Sequence, residues 1–364
     1  MLKRPITAAL AVLALAGITL TGTPAKAAPH FKGKEIVFIV GFSVGGSYTL
    51  YARMVGEAME RHLPGKPNII IQNMRGAGGV KAANYLANKA PKDGTYLGWI
   101  ADAMAVSQLL FPKKMKYDGR KFHAIGSVTN VNPTMVVHKR KGVKSVKDLQ
   151  DKEVVLGCSG RGSQTYVNGR AMAVYLGFKF KLICGYGGSA PQTLAMLRGE
   201  TDAQSSAWQS WKIRQPHLFE DGTLIPIVQV GYKKEKELPN VPLMMELAQD
   251  DKAKQALKFI SSMGAVGRWL SAPPGTPANV VKILRDAFDK SMKDPKLLAE
   301  AKKRHATVDP TSGADLQKII AEVYKTDPEV VKEARGALKG YKKFKTCKGK
   351  YCKKKKKKKK KKDA

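Results

Sequence analysis

At 364 residues the chain is long enough for two domains with real cores, and its 43% apolar content excludes wholesale disorder. Lys and Arg number 65 against 29 Asp and Glu, for a net charge of +36. Residues 339–364 carry +15 of that and residues 1–27 another +3, so the body keeps +18 and is basic in its own right, while the tail is a separate object.

Residues 1–27 read as a secretory signal peptide. Lys3 and Arg4 form the positive start, Ala8–Leu20 is the apolar stretch, and Ala25-Lys26-Ala27 gives the small-x-small cleavage pattern. Cleavage near Ala27 would place the mature chain in the periplasm. The apolar stretch is shorter than the about 20 residues of a membrane span, and no Cys follows it as a lipoprotein anchor would need.

The body alternates β-branched runs with amphipathic helices. Glu35–Val40 is a buried-strand pattern, followed by a glycine loop and a helix from about Thr49 to Leu63. Ile69–Ile71 and Tyr96–Ala101 are further strands, with helices after each, around Ala82–Leu86 and at Val106–Phe111. Asn132-Pro133 breaks the pattern and marks a boundary. Beyond it, strands are expected at Met135–His138, Val154–Cys158, Lys181–Gly185 and Leu224–Val230. Ser145 and Asp148 have capping-box spacing for a short helix. Pro239 and Pro242 form a rigid linker, Ala265–Leu270 reads as a strand, and helices are expected at Gln249–Ser261, Ala278–Met292, Pro295–His305, Ala314–Tyr324 and Glu329–Leu338. Repeated strand–loop–helix units imply an α/β fold of two lobes, each a mainly parallel sheet flanked by helices. The divisions expected are 28–132 for the first part of lobe one, 133–230 for lobe two, and 231–338 for the hinge return and the rest of lobe one. Residues 339–364 form a Lys-rich tail too polar to fold.

Four glycine-rich loops, Gly41–Ser47, Arg75–Gly79, Ser159–Ser163 and Tyr186–Pro191, each join a strand to a helix. Such loops offer free N–H groups and the positive end of a helix dipole, and in open parallel sheets they gather at the carboxyl edge. None has the spacing of a dinucleotide fingerprint or ends in Gly-Lys-Ser/Thr, so nucleotide binding is not indicated. The six histidines, His30, His62, His123, His138, His217 and His305, show no metal spacing and no nucleophile elbow. Asp102 and Asp202 fall near strand ends, where an acid is either a turn cap or a catalytic base. Trp208 and Trp211 either pack a core or wall a cleft. Cys158 and Cys184 end neighbouring strands and are either a disulfide or two buried thiols; export permits the bridge. Cys347 and Cys352 flank the start of the tail.

Taken in order, these loops resemble the periplasmic receptors of tripartite tricarboxylate transporters, the Bug or TctC-like solute-binding proteins. Where that family reads Phe-Pro-Pro-Gly-Gly-x-x-Asp-x-x-Ala-Arg, this chain has Phe42-Ser43-Val44-Gly45-Gly46-Ser47-Tyr48-Thr49-Leu50-Tyr51-Ala52-Arg53. Asn73-Met74-Arg75-Gly76-Ala77-Gly78-Gly79, Ala90 to Thr95, Tyr186 to Asp202, Pro239 to Pro242 and Ala272 to Pro277 are similar to its later motifs. The resemblance implies a type II-like binding-protein fold with a hinge, a non-enzymatic role, no cofactor, no metal and a monomeric state. It implies capture of an organic carboxylate or dicarboxylate and its delivery to membrane transporter subunits. It nominates the backbone of Ser43, Val44, Gly45, Gly46 and Ser47, with Ala77 and Gly78, as one wall. Gly162, Ser163, Gly188, Ser189 and Ala190 form the other, with Ser205 and Ser206 at the distal end. Thr49 stands where the family has Asp, which removes an acceptor for ammonium and favours a plain carboxylate over an amino acid. Two other readings compete. One is a secreted basic protein that grips nucleic acid, lipopolysaccharide or anionic lipid through its lysines; the tail is then either a functional polyanion grip or an inert extension. The other is an enzyme with Asp102 or Asp202 as base.

Overall fold

The structure, a computed structural model, describes residues 30–340 and 344–346. The signal peptide, Cys347, Cys352 and the lysine run lie outside the described residues, but Phe344–Thr346, expected in the unfolded tail, is a strand paired with the second sheet. In chain order the elements of the first part are β1 (Glu35–Val40), α1 (Ser47–His62), β2 (Asn68–Asn73), α2 (Val80–Asn88), β3 (Tyr96–Trp99), α3 (Met104–Leu110) and β4 (His123–Ser127). Then come β5 (Pro133–His138), α4 (Val146–Asp151), β6 (Val154–Cys158), α5 (Gln164–Tyr175), β7 (Phe180–Cys184), α6 (Ser189–Leu197) and β8 (Ala203–Ala207). They continue with α7 (Trp208–Arg214), α8 (His217–Glu220), β9 (Leu224–Gln229), α9 (Asp251–Ser261), α10 (Met263–Val266) and β10 (Trp269–Ala272). The last are α11 (Ala278–Ser291), α12 (Pro295–Lys303), β11 (Thr311–Ser312), α13 (Gly313–Tyr324), α14 (Pro328–Gly340) and β12 (Phe344–Thr346).

Two six-stranded sheets result, ordered β11-β4-β10-β3-β1-β2 and β12-β7-β6-β8-β5-β9. Both are mixed rather than mainly parallel. β2-β1-β3 and β12-β7-β6-β8 run parallel, while β3-β10-β4-β11 and β8-β5-β9 pair antiparallel. The antiparallel pairs flank the places where the chain crosses between sheets: β4 leaves the first, β5 opens the second, and β10 is the return.

The crossing segments are paired to each other. Val128 N donates to Arg268 O at 2.8 Å, Arg268 N to Thr129 O at 2.9 Å, and Val131 N to Gly264 O at 3.0 Å. This is a two-stranded hinge. It also explains why 265–270 is not one strand. α10 ends at Val266, Gly267 turns with φ 69°, and a Cβ there would lie 2.1 Å from Thr129 O. Only glycine permits the turn.

Helices α9 and α14, expected in the first lobe, pack instead on the second. Ala256, Leu257, Ile260, Val331, Ala334 and Leu338 share a core cluster with Leu156, Val167 and Ala171. The amphipathic faces were legible, but which sheet covers them is a long-range choice. Among the described residues no helix is long and apolar enough to cross a membrane.

Two ties brace the lobes. Cys158 and Cys184 stand opposite each other in the β6–β7 register, with Cα atoms 4.4 Å apart, and form a disulfide. They lie at the roots of the two second-lobe glycine loops. In the first lobe Asp294 caps α12 through the N–H groups of Lys296 and Leu297 and accepts a two-pronged bond from Arg61 of α1, at 3.0 and 2.8 Å. His62 adds a contact at 2.9 Å.

Replacing both cysteines by serine frees a loop of 26 residues and is expected to lower unfolding free energy by about 3 kcal/mol. Urea unfolding of the oxidised wild type against the variant checks it, and equal midpoints would refute it. Arg61 holds the Asp294 carboxyl well below the usual carboxylate range. The stability this supplies is complete above the unfolded carboxylate value of about 4 and is lost as pH falls through the depressed folded one. Asp294→Asn should therefore flatten the acid limb of a melting-temperature profile below about pH 4 and lower melting at neutral pH. An unchanged acid limb would count against the assignment.

Candidate functional site

The carboxyl ends of β1, β3, β6 and β8 face the gap between the sheets, and α1, α5 and α6 begin there. These helices have 16, 12 and 9 residues, and their N-caps, Gly46, Ser163 and Gly188, supply no side-chain cap bond. By contrast α4, α9, α12 and α13 are capped by Ser145, Asp250, Asp294 and Ser312. Three positive helix ends with N–H groups uncovered by their own caps thus converge on the gap.

The lobes are drawn together. Ser43 N donates to Gly187 O at 2.9 Å, Gly162 N to Ala77 O at 3.3 Å, and Ser210 Oγ to Ser47 Oγ at 2.7 Å. Inside lies a cavity of about 40 Å3, far below the ~300–1,000 Å3 of small-molecule pockets. Admitting a ligand therefore requires the hinge to open. Its lining comprises Phe42, Gly46, Ser47, Tyr48, Asp102, Ser159, Ser163, Gln164, Thr165, Ser189, Ser206 and Arg268. Gly46 and Ser47 also line an outer cavity of about 460 Å3, where Arg53, Arg214, Lys303 and Arg304 outnumber Glu57 and Glu300.

At the floor Arg268 Nη1 donates to Asp102 Oδ2 at 2.8 Å, with 4% and 2% of the two side chains exposed. Arg268 Nε donates to Ser47 Oγ at 3.2 Å, and its guanidinium lies 4.2 Å from the Tyr48 ring centroid. Tyr48 Oη accepts from Asp102 N at 2.9 Å. Burial raises the Asp102 carboxyl above its ordinary range, with Arg268 pulling the other way. Burial opposes the Arg268 charge too, but Tyr48 and Asp102 outweigh it and the guanidinium stays ionised.

The sequence profile described as the tripartite tricarboxylate transporter family receptor matches residues 51–336. This chain belongs to that family. Among its relatives, a protein of the gbd 5' region of Cupriavidus necator is 27% identical over 292 residues, which is 78% of this chain and 82% of that one. The periplasmic binding protein BugD superposes with TM-score 0.67 at 22% identity, over 83% of this chain and 97% of its own. MatC from Rhodopseudomonas palustris, solved with bound malate, gives TM-score 0.65 at 22% identity over 82% and 99%. At such identities the likeness to BugD and MatC establishes the shared fold.

In this receptor Gly46, Ser47, Ser163, Ser189 and Ser206 line the inner cavity. Ser43, Ala77, Gly78, Gly162 and Gly188 instead form the contact between lobes. Val44, 58% exposed, and Gly45 line the outer cavity, and Ala190 borders Gly45 beyond it. Ser205 turns away: strand alternation gives Ser206 to the cavity, and Ser205 Oγ accepts from Asn168 Nδ2 on α5. Thr49 Oγ1 accepts from Asn73 Nδ2, so it braces the first loop. Trp208 and Trp211 are core, packed with Val136, Met196 and Leu224. Asp202 sits at the far end of β8, where its carboxylate accepts from Val155 N, so it cannot act with Asp102. Gln164 and Thr165 could have been read from the run after Cys158, but nothing local marked Arg268.

Gly78 has φ 70°, and a Cβ on it would lie 2.7 Å from Ser163 N and 2.8 Å from Gly160 O of the other lobe. Gly78→Ala is expected to hold the cleft open. Small-angle scattering should give a larger radius of gyration than wild type, and ligand affinity should fall about tenfold. An unchanged radius and affinity would refute the contact's role.

Proposed function

We propose that this receptor captures a small organic carboxylate between its lobes in the periplasm and passes it to the membrane subunits of a tripartite transporter. The observation that carries this reading is the cavity's supply of positive ends. Three helix N-termini without side-chain caps converge on it, and Arg268 is the one cation among its described lining residues. Backbone N–H groups of the glycine loops then hold carboxylate oxygens as helix N-termini hold anions generally. The basic outer cavity and the +18 of the body draw anions toward the entrance. MatC, which shares the fold, was solved with malate. Asp102, engaged by Arg268, serves charge compensation rather than proton abstraction, so no turnover accompanies binding.

A thermal-shift panel of mono-, di- and tricarboxylates, aromatic acids and neutral solutes tests the reading. A cognate acid at a hundredfold excess over Kd should stabilise by about 2.7 kcal/mol, several degrees of melting temperature. Stabilisation by neutral sugars or polyols alone would sink it.

A further inference from the structure

Arg268 and Asp102 are the charged side chains among the described residues lining the inner cavity, and they are bonded to each other. The wall therefore has no net formal charge. A dicarboxylate enclosed there would meet the three helix N-termini but only one side-chain cation, which Asp102 already neutralises. A ligand that carries both signs can bond to both members of this pair.

Two further atoms point the same way. Arg268 commits Nε to Ser47 and an Nη1 hydrogen to Asp102, and no described residue accepts from Nη2. Those N–H groups remain for a carboxylate. Gln164, 8% exposed, has its Oε1 buried without a hydrogen-bond partner. A buried acceptor wants a donor, which a carboxylate lacks and an ammonium has.

We propose that the cleft selects a zwitterion: an α-amino acid whose carboxylate is taken by Arg268 and whose ammonium is taken by Asp102 and Gln164 Oε1. This rests on the carboxylate reading above and reverses the expectation drawn from Thr49, because the end of β3 supplies the acid that the first loop lacks. An α-amino acid carries its two charges on one carbon, as the wall carries its two side by side. The Arg268–Asp102 bond is kept while each member gains an opposite charge from the ligand, so neither is left buried alone.

Isothermal titration of the mature wild-type chain at neutral pH with three matched sets tests it: alanine, lactate and propionate; aspartate, malate and succinate; phenylalanine, phenyllactate and phenylpropionate. In the set that binds, the amino member should be tighter than the hydroxy and deaminated members by about tenfold or more. Asp102→Asn should erase that preference, and Arg268→Gln should weaken every member. A hydroxy or deaminated acid that binds the wild type as tightly as its amino partner overturns the inference, whether or not the variants fold, and leaves the carboxylate reading standing. If no member of any set binds while another carboxylate in the thermal-shift panel does, this inference is overturned and the carboxylate reading stands.

Discussion

The pairing of Val128–Val131 with Gly264–Arg268 is the constraint on which the rest depends. It is the place where the chain passes between sheets, and it sets the antiparallel strands at the heart of each. Arg268 belongs to it by backbone, through Val128 and Thr129, and to the cleft by side chain, through Asp102 and Ser47. A ligand that engages Arg268 therefore acts on the hinge directly.

Closure itself is a matter of small residues. Gly78, Gly162 and Gly188 let the backbones of facing loops come within hydrogen-bond reach, and added side chains would occupy that space. The buried ion pair beneath them is a different kind of device. Burying both charges costs desolvation that their attraction repays only with good geometry, so such a pair is weak evidence for stability alone. Its place in the cavity lining is what the zwitterion proposal rests on.

Several parts of this architecture were legible from local pattern. β6 stands where Val154–Cys158 was read, and the Ser145–Asp148 capping box is present. Local pattern failed where membership in a sheet is decided by neighbours. β8, Ala-Gln-Ser-Ser-Ala, has no β-branched residue, yet it is fully buried between β6 and β5. β4, His-Ala-Ile-Gly-Ser, is held likewise between β10 and β11. At the site the glycine and serine loops were visible because turn chemistry is written in adjacent residues. Asp102 stood out as an acid near a strand end, but Arg268 and its pairing with Asp102 across 166 positions did not.

By itself, then, the sequence determined the alternation of strands and helices, the loops that end at the cleft and the family to which their order belongs, because each depends on residues within a few positions of one another. The tertiary structure alone decided that α9 and α14 join the second lobe and that Ser206 rather than Ser205 faces inward. It also decided that the cleft's charge is a neutral pair rather than a lone cation. Those outcomes depend on which distant segments share a core, and a buried charge acquires its chemistry from the partner that folding brings to it.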